Sequence, residues 1–290
     1  MRSLALLAAA GTSVLFGLGS VLQKAAADRA TTAEGLDVRL LAHLLRQGRY
    51  LLGWVCDIAG WVLQVAALTV LPLFVVQGFV VMGTGCTAVL AWWLLGARLS
   101  RRGWRALVLM LGAGVALALS APADRPVRFG FAGLAAAAAV LGALLAAGRV
   151  LARDADHWTG AGFGALAGVG FALVAVLGKA VAPLPGRPLV DQVGGLLRTP
   201  APYLLVLAGA AAALLYATGL QRGQVVAVEA PLVAVELILP AALGIAVLGE
   251  SLPGGWRLPL AFAGVLTALA GSLLLAHEPT AAGPVTAPGR

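Results

Sequence analysis

Residues 50–97 read YLLGWVCDIAGWVLQVAALTVLPLFVVQGFVVMGTGCTAVLAWWLLGA, 48 residues between Arg49 and Arg98 that carry a single charge, Asp57. A helix rises about 1.5 Å per residue, so this run is roughly twice as long as one bilayer crossing needs. Leu71-Pro72 is its natural break, because proline has no N–H with which to continue a helix. Two membrane-spanning helices joined by a tight turn are therefore expected here.

The rest of the chain repeats the pattern. Charge-free stretches cover residues 3–22, 106–123, 129–148, 158–178, 199–221 and 258–276, and a further apolar run, 223–249, contains only Glu229 and Glu236 as charges. That makes nine crossings. The totals agree: 61% of the 290 residues are apolar and 11% charged, with a mean hydropathy of +0.96, whereas a soluble domain carries about a quarter charged residues. Water-soluble and disordered chains are excluded. The expected fold class is an all-α integral membrane protein with about nine transmembrane helices, and the expected partners are the lipid bilayer and a small-molecule or ion substrate.

The net charge of +8 and pI near 10.7 would suggest nucleic acid in a soluble protein. Here the bases lie in short loops between apolar runs and read as topology signals, so no nucleic-acid partner is expected. Loops after the first, third, fifth and seventh crossings, with the tail, hold thirteen Lys and Arg against seven on the other face. Positive loops stay inside, so the expectation is a cell-membrane protein with its N-terminus outside and its C-terminus cytoplasmic. Trp92, Trp93, Trp104, Trp158 and Trp256 fall at run ends, where an interfacial aromatic belt would put them.

Residues 36–49, LDVRLLAHLLRQGR, are too basic to cross and are expected to lie on the membrane surface as an amphipathic segment. The first apolar run is expected to be a retained helix, since Gln23-Lys24 stands where a cleaved signal would turn to small residues. Cys56 and Cys86 sit inside apolar runs and read as small buried hydrophobes. The Pro, Gly and Ala rich tail 278–290 is expected to be disordered.

The chain is self-similar. Residues 95–105, LGARLSRRGWR, align with 248–257, LGESLPGGWR, and Gln77 aligns with Glu229. By the topology count one copy of this loop is cytoplasmic and the other external, so two inverted repeats are expected: 1–123, with four helices and the interfacial segment, and 124–277, with five. Inverted repeats characterise secondary transporters, whose sites lie near the midplane where the repeats meet.

LLGARLSRRGWRALVLMLGAGVAL (94–117) and VLGESLPGGWRLPLAFAGVLTAL (247–269) resemble the signature that closes each half of EamA-type members of the drug/metabolite transporter superfamily. The resemblance implies ten helices in inverted repeats of five. The nine-helix layout, with the basic stretch where the second helix would fall, resembles the NIPA-type magnesium transporter branch and implies possible Mg²⁺ transport. Ala97 replaces the family's Glu in the first copy, whereas Glu250 retains it and reads as a cap or structural contact at a helix end.

Ionisable groups inside hydrocarbon cost a few kcal/mol and are functional candidates by default. Glu229 and Glu236, seven residues apart, fall on nearly one helix face. Pro231 and Pro240 in the same crossing favour kinks that leave carbonyls to line a site. With Asp57, these acids form the expected substrate or ion pathway and the expected metal ligands, suited either to a coupled proton or to a hard cation such as Mg²⁺. Gln64 and Gln77 would bond substrate or link helices, and Lys24 would snorkel or receive an anionic group at a cavity mouth. Lys179 is expected to snorkel to the interface. Gly160, Gly164 and Gly168 form a small-residue stripe for close helix packing, with a homodimer face as the alternative.

All three histidines lie outside the crossings, and no phosphate-binding Gly-x-x-x-x-Gly-Lys loop occurs. A membrane enzyme and an ATPase are therefore not expected, nor is a resident cofactor. The function expected is a secondary transporter of a small metabolite or cation, driven by an ion gradient or the membrane potential. The alternative is a non-transporting scaffold or accessory subunit, whose acids would all be paired.

Overall fold

The protein is described from a computed structural model covering residues 2–27, 48–96, 99–124, 127, 129–153, 159–183, 189–222 and 225–277. In chain order the helices are α1 Arg2–Ala27, α2 Gly48–Ala67, α3 Leu73–Leu95, α4 Arg101–Ser120, α5 Phe131–Leu151, α6 Thr159–Val181, α7 Leu189–Leu196, α8 Ala201–Arg222, α9 Val225–Ala246 and α10 Arg257–Ala276. All but the eight-residue α7 are long and apolar enough to cross a bilayer, so the described residues hold nine candidate spans and no strand. This is a multi-pass helical membrane protein. The short α7 was not foreseen. The interfacial segment lies outside the described residues as far as residue 47; Gly48 and Arg49, which the sequence reading grouped with it, instead open α2. The tail 278–290 also lies outside them.

Local chemistry places the boundaries. Pro72, in extended conformation, separates α2 from α3. Ser100 caps α4, its hydroxyl accepting from the N–H groups of Arg102 and Gly103. Gly96 and Gly249 hold the same positions in the two aligned loops, and both adopt φ of 66°. A Cβ costs about 1–2 kcal/mol in that left-handed conformation.

Hydrocarbon offers helices no hydrophobic drive to associate, so close packing of small residues takes that role. Gly164 of α6 abuts the Val228 carbonyl of α9, and Gly168 that of Leu232, so the two helices run parallel. The glycine stripe is thus covered within the chain, and it is not available as the dimer face considered above. Antiparallel packing joins α1 to α2, where Thr12 Oγ1 donates to the Gly60 carbonyl at 3.1 Å and Gln23 lies against Gly53.

The same scheme occurs in both halves: α1 packs against α2 and α3 as α6 packs against α8 and α9, and α3 meets α4 as α9 meets α10. Helix α5 lies outside this correspondence, against α6 and α8. Between the halves the principal contact is α4 with α10. Gly264 faces the Ala113 carbonyl and Gly271 that of Ala106, so these two helices are antiparallel. Helices α3 and α6 form the centre, each with 56% of its spanning window buried against 22% for α5. Around them Leu51, Val55, Val108, Leu111, Val206 and Leu266 point outward, to be covered by lipid.

Candidate functional site

A proline inside a helix cannot donate to the carbonyl four residues earlier, and Pro240 of α9 thereby frees the carbonyl of Glu236. Gln77 of α3 supplies the missing donor, its Nε2 standing 3.4 Å from that oxygen. The Gln77 Oε1 in turn accepts from Gln64 Nε2 of α2 at 3.0 Å. Both glutamines are buried. Of the two roles foreseen for them, linking helices is the one the structure displays. Pro231 also lies within the continuous α9, where it similarly leaves the Ala227 carbonyl without an intrahelical donor.

The Glu236 side chain shares the interior face of α9 with Leu232, one turn before it, and Pro240, one turn after; Val233 and Leu237 flank it. Those four are buried, while Ala227, Ile238 and Ala242 on the opposite side are exposed. Glu236 itself is only half-buried. It therefore lies on the buried arc of the helix with its side chain only partly covered. Among the described residues, no hydrogen bond or ion pair reaches its carboxylate.

The other two acids are held. Asp57 of α2 accepts from Gln23 Nε2 of α1 at 2.5 Å, and a side chain at Gly19 would overlap its carboxylate. Glu229 Oε1 accepts from the Tyr216 hydroxyl of α8 at 2.9 Å. The three-acid metal set expected of Glu236, Glu229 and Asp57 is not formed: among the described residues no group of three His, Cys, Asp or Glu could hold a metal. The Lys24 side chain lies outside the described residues.

Tyr216 and Glu229 were separated by the same thirteen residues as Gln64 and Gln77, and each residue of the second pair lies 152 positions before its counterpart. One bridge thus recurs in the two helical hairpins α2–α3 and α8–α9, with glutamine–glutamine in one and tyrosine–glutamate in the other. Tyr216 escaped the sequence reading, as did the pairing of Gln23 with Asp57; equal distance from the hairpin turn is the signal that would have found Tyr216.

A second polar cluster was also missed. Lys179, near the end of α6, is fully buried and ion-paired with Glu250 and Asp124. This corrects the expectation that it snorkels. Both Glu250 carboxylate oxygens stand 2.9 Å from the Leu73 N–H at the start of α3, and the Asp124 N–H donates to the Val70 carbonyl at 2.7 Å. Glu250 is indeed the helix cap it was expected to be, but of a helix in the other half of the chain. Burial pushes its carboxyl above the usual carboxylate range, while the Lys179 ammonium and the Leu73 N–H pull it back and Asp124 adds to the rise. The turns before α3, before α5, after α6 and after α9 consequently meet at one end of the bundle. At the other end Arg222 donates to the Ala152 carbonyl at 2.9 Å, and Trp92 meets Trp104 edge-on with ring centroids 5.5 Å apart.

Comparison with known proteins adds no identity: no family model, no curated protein and no solved structure matches the chain.

Proposed function

We propose that the chain is a secondary transporter of the cell membrane, built from two inverted repeats and carrying a small metabolite or cation past Glu236. The observation that carries this reading is the Glu236 carboxylate, half-buried on the interior face of α9 and without a partner among the described residues. An unpaired acid at membrane depth is costly and is retained where it receives a charge in turn. The recurrent packing, the antiparallel meeting of α4 with α10 and the recurrent hairpin bridge support the inverted repeats. Rocking one repeat against the other would expose such a site to each side alternately.

The proposal includes the likeness to EamA-type drug/metabolite transporters and the orientation with the N-terminus outside. One carboxylate without a partner among the described residues suits a proton or a singly charged species, and it would suit Mg²⁺ only with waters or substrate oxygens completing the shell. The scaffold reading draws on the pairing of Asp57 and Glu229, and Glu236 is the acid it leaves unexplained.

In liposomes the protein is expected to move at least one member of a panel of Mg²⁺, amino acids and cationic dyes, with a proton gradient on or off. Glu236→Gln should abolish that flux with insertion unchanged. Full flux in the variant would move the site elsewhere, and no flux with any member would favour the scaffold.

A further inference from the structure

We infer that the buried Lys179–Glu250–Asp124 cluster is the lock of a gate that closes one end of the pathway, an inference that rests on the transport reading above. At this end the packing is unbroken. Residues 71–79, spanning the first turns of α3, are all buried, as are residues 175–182 at the end of α6. Farther along α3 the burial loosens: Val80, Met82, Cys86, Thr87 and Ala88 are partly exposed and Thr84 is exposed, although α3 is central. The cover of α3 is complete where the charges meet and thins toward the end bearing Arg101, Arg102 and Arg105, although Val81, Gly83 and Gly85 remain buried.

The cluster also joins the parts that a rocking motion would separate. Lys179 and Glu250 belong to the second half, and Leu73, whose N–H the Glu250 carboxylate accepts, begins the central helix of the first. Asp124, from the turn between α4 and α5, holds the same ammonium. A side chain at Gly244 would overlap the Glu250 carboxylate, so the loop is seated without slack. The aligned position in the first half is Ala97, which offers no carboxylate for a matching lock at the opposite end. The charged bolt at this end thus has no counterpart at the aligned position of the other half. Parting a buried ion pair strands both charges unless water enters, so opening at this end requires hydration of the cluster.

The test is thiol accessibility, which needs no known substrate. With Cys56 and Cys86 replaced, the full chain carries one cysteine through Glu236→Cys and is probed with a membrane-impermeant maleimide in oriented vesicles of both polarities. Labelling is expected from the Arg-rich end alone. Lys179→Gln with Glu250→Gln should raise labelling from the cluster end severalfold. Asp124→Asn, at a less buried site and with the Lys179–Glu250 pair intact, should give a smaller rise, which keeps the test decisive should the double variant fail to fold. Labelling from the cluster end in the starting protein, or no rise in either folded variant, overturns the lock and leaves the pathway standing. Labelling from neither end in any variant overturns the pathway itself.

Discussion

At the scale of single residues, the chemistry around Glu236 turns on one absent hydrogen. Pro240 withholds a donor, Gln77 replaces it, and Gln64 donates to the Oε1 of Gln77. Truncating a buried partner leaves an unsatisfied polar group, so Gln77→Leu should lower stability by about 1 kcal/mol. Pro240→Ala restores an N–H to the helix and makes the Gln77 donor dispensable. The two changes should therefore be non-additive, with the Gln77→Leu loss shrinking by several tenths of a kcal/mol in the Pro240→Ala background. Thermal unfolding of the four proteins in detergent checks this, and strict additivity would show that Gln77 does not serve that carbonyl. The identities of these residues were legible in the sequence. Their partnerships were not, because a hydrogen bond depends on which helix lies opposite.

Helices show the same division. The apolar runs marked the spans to within a few residues, because the length of a crossing is set by the bilayer and its ends by charge and proline. The small residues of α6 were read correctly as a packing stripe, but periodicity cannot say whether the surface they meet belongs to the same chain. It does: a methyl at Gly164 would overlap the Val228 backbone oxygen, which cannot yield as a flexible side chain could. Gly164→Ala should thus force α6 from α9 and cost about 1–3 kcal/mol. Nothing lies within 4 Å of the corresponding position at Gly142 on the outer α5, and Gly142→Ala should be neutral or stabilise by up to about 1 kcal/mol. Equal effects of the two substitutions on the thermal midpoint would contradict this packing.

For the whole molecule, the contacts at the two ends sort the turns as nine alternating crossings require. Leu73, Asp124, Lys179 and Glu250 meet at one end, Ala152 and Arg222 at the other. In the orientation proposed from the bias of Lys and Arg, the second end faces the cytoplasm. With both native cysteines replaced, Thr199→Cys should react with an impermeant maleimide on intact cells, whereas Arg153→Cys should react only after permeabilisation. Both positions are exposed. The opposite pattern would reverse the orientation and keep the alternation, and reaction of both on intact cells would break the alternation between residues 153 and 199.

What the sequence determined by itself was the number, extent and class of the helices, because hydrocarbon tests each segment separately for length, charge and backbone satisfaction. The alignment of the two loops also paired Gly96 with Gly249, and the structure gives both the same left-handed turn. Only the tertiary structure decided that Asp57 and Glu229 are held while Glu236 has no partner among the described residues, and that Lys179 is locked inside rather than reaching for the surface. A charge within an apolar run reads the same whether it is paired or alone; the difference lies in residues from distant helices, which come within bonding distance only when the bundle closes.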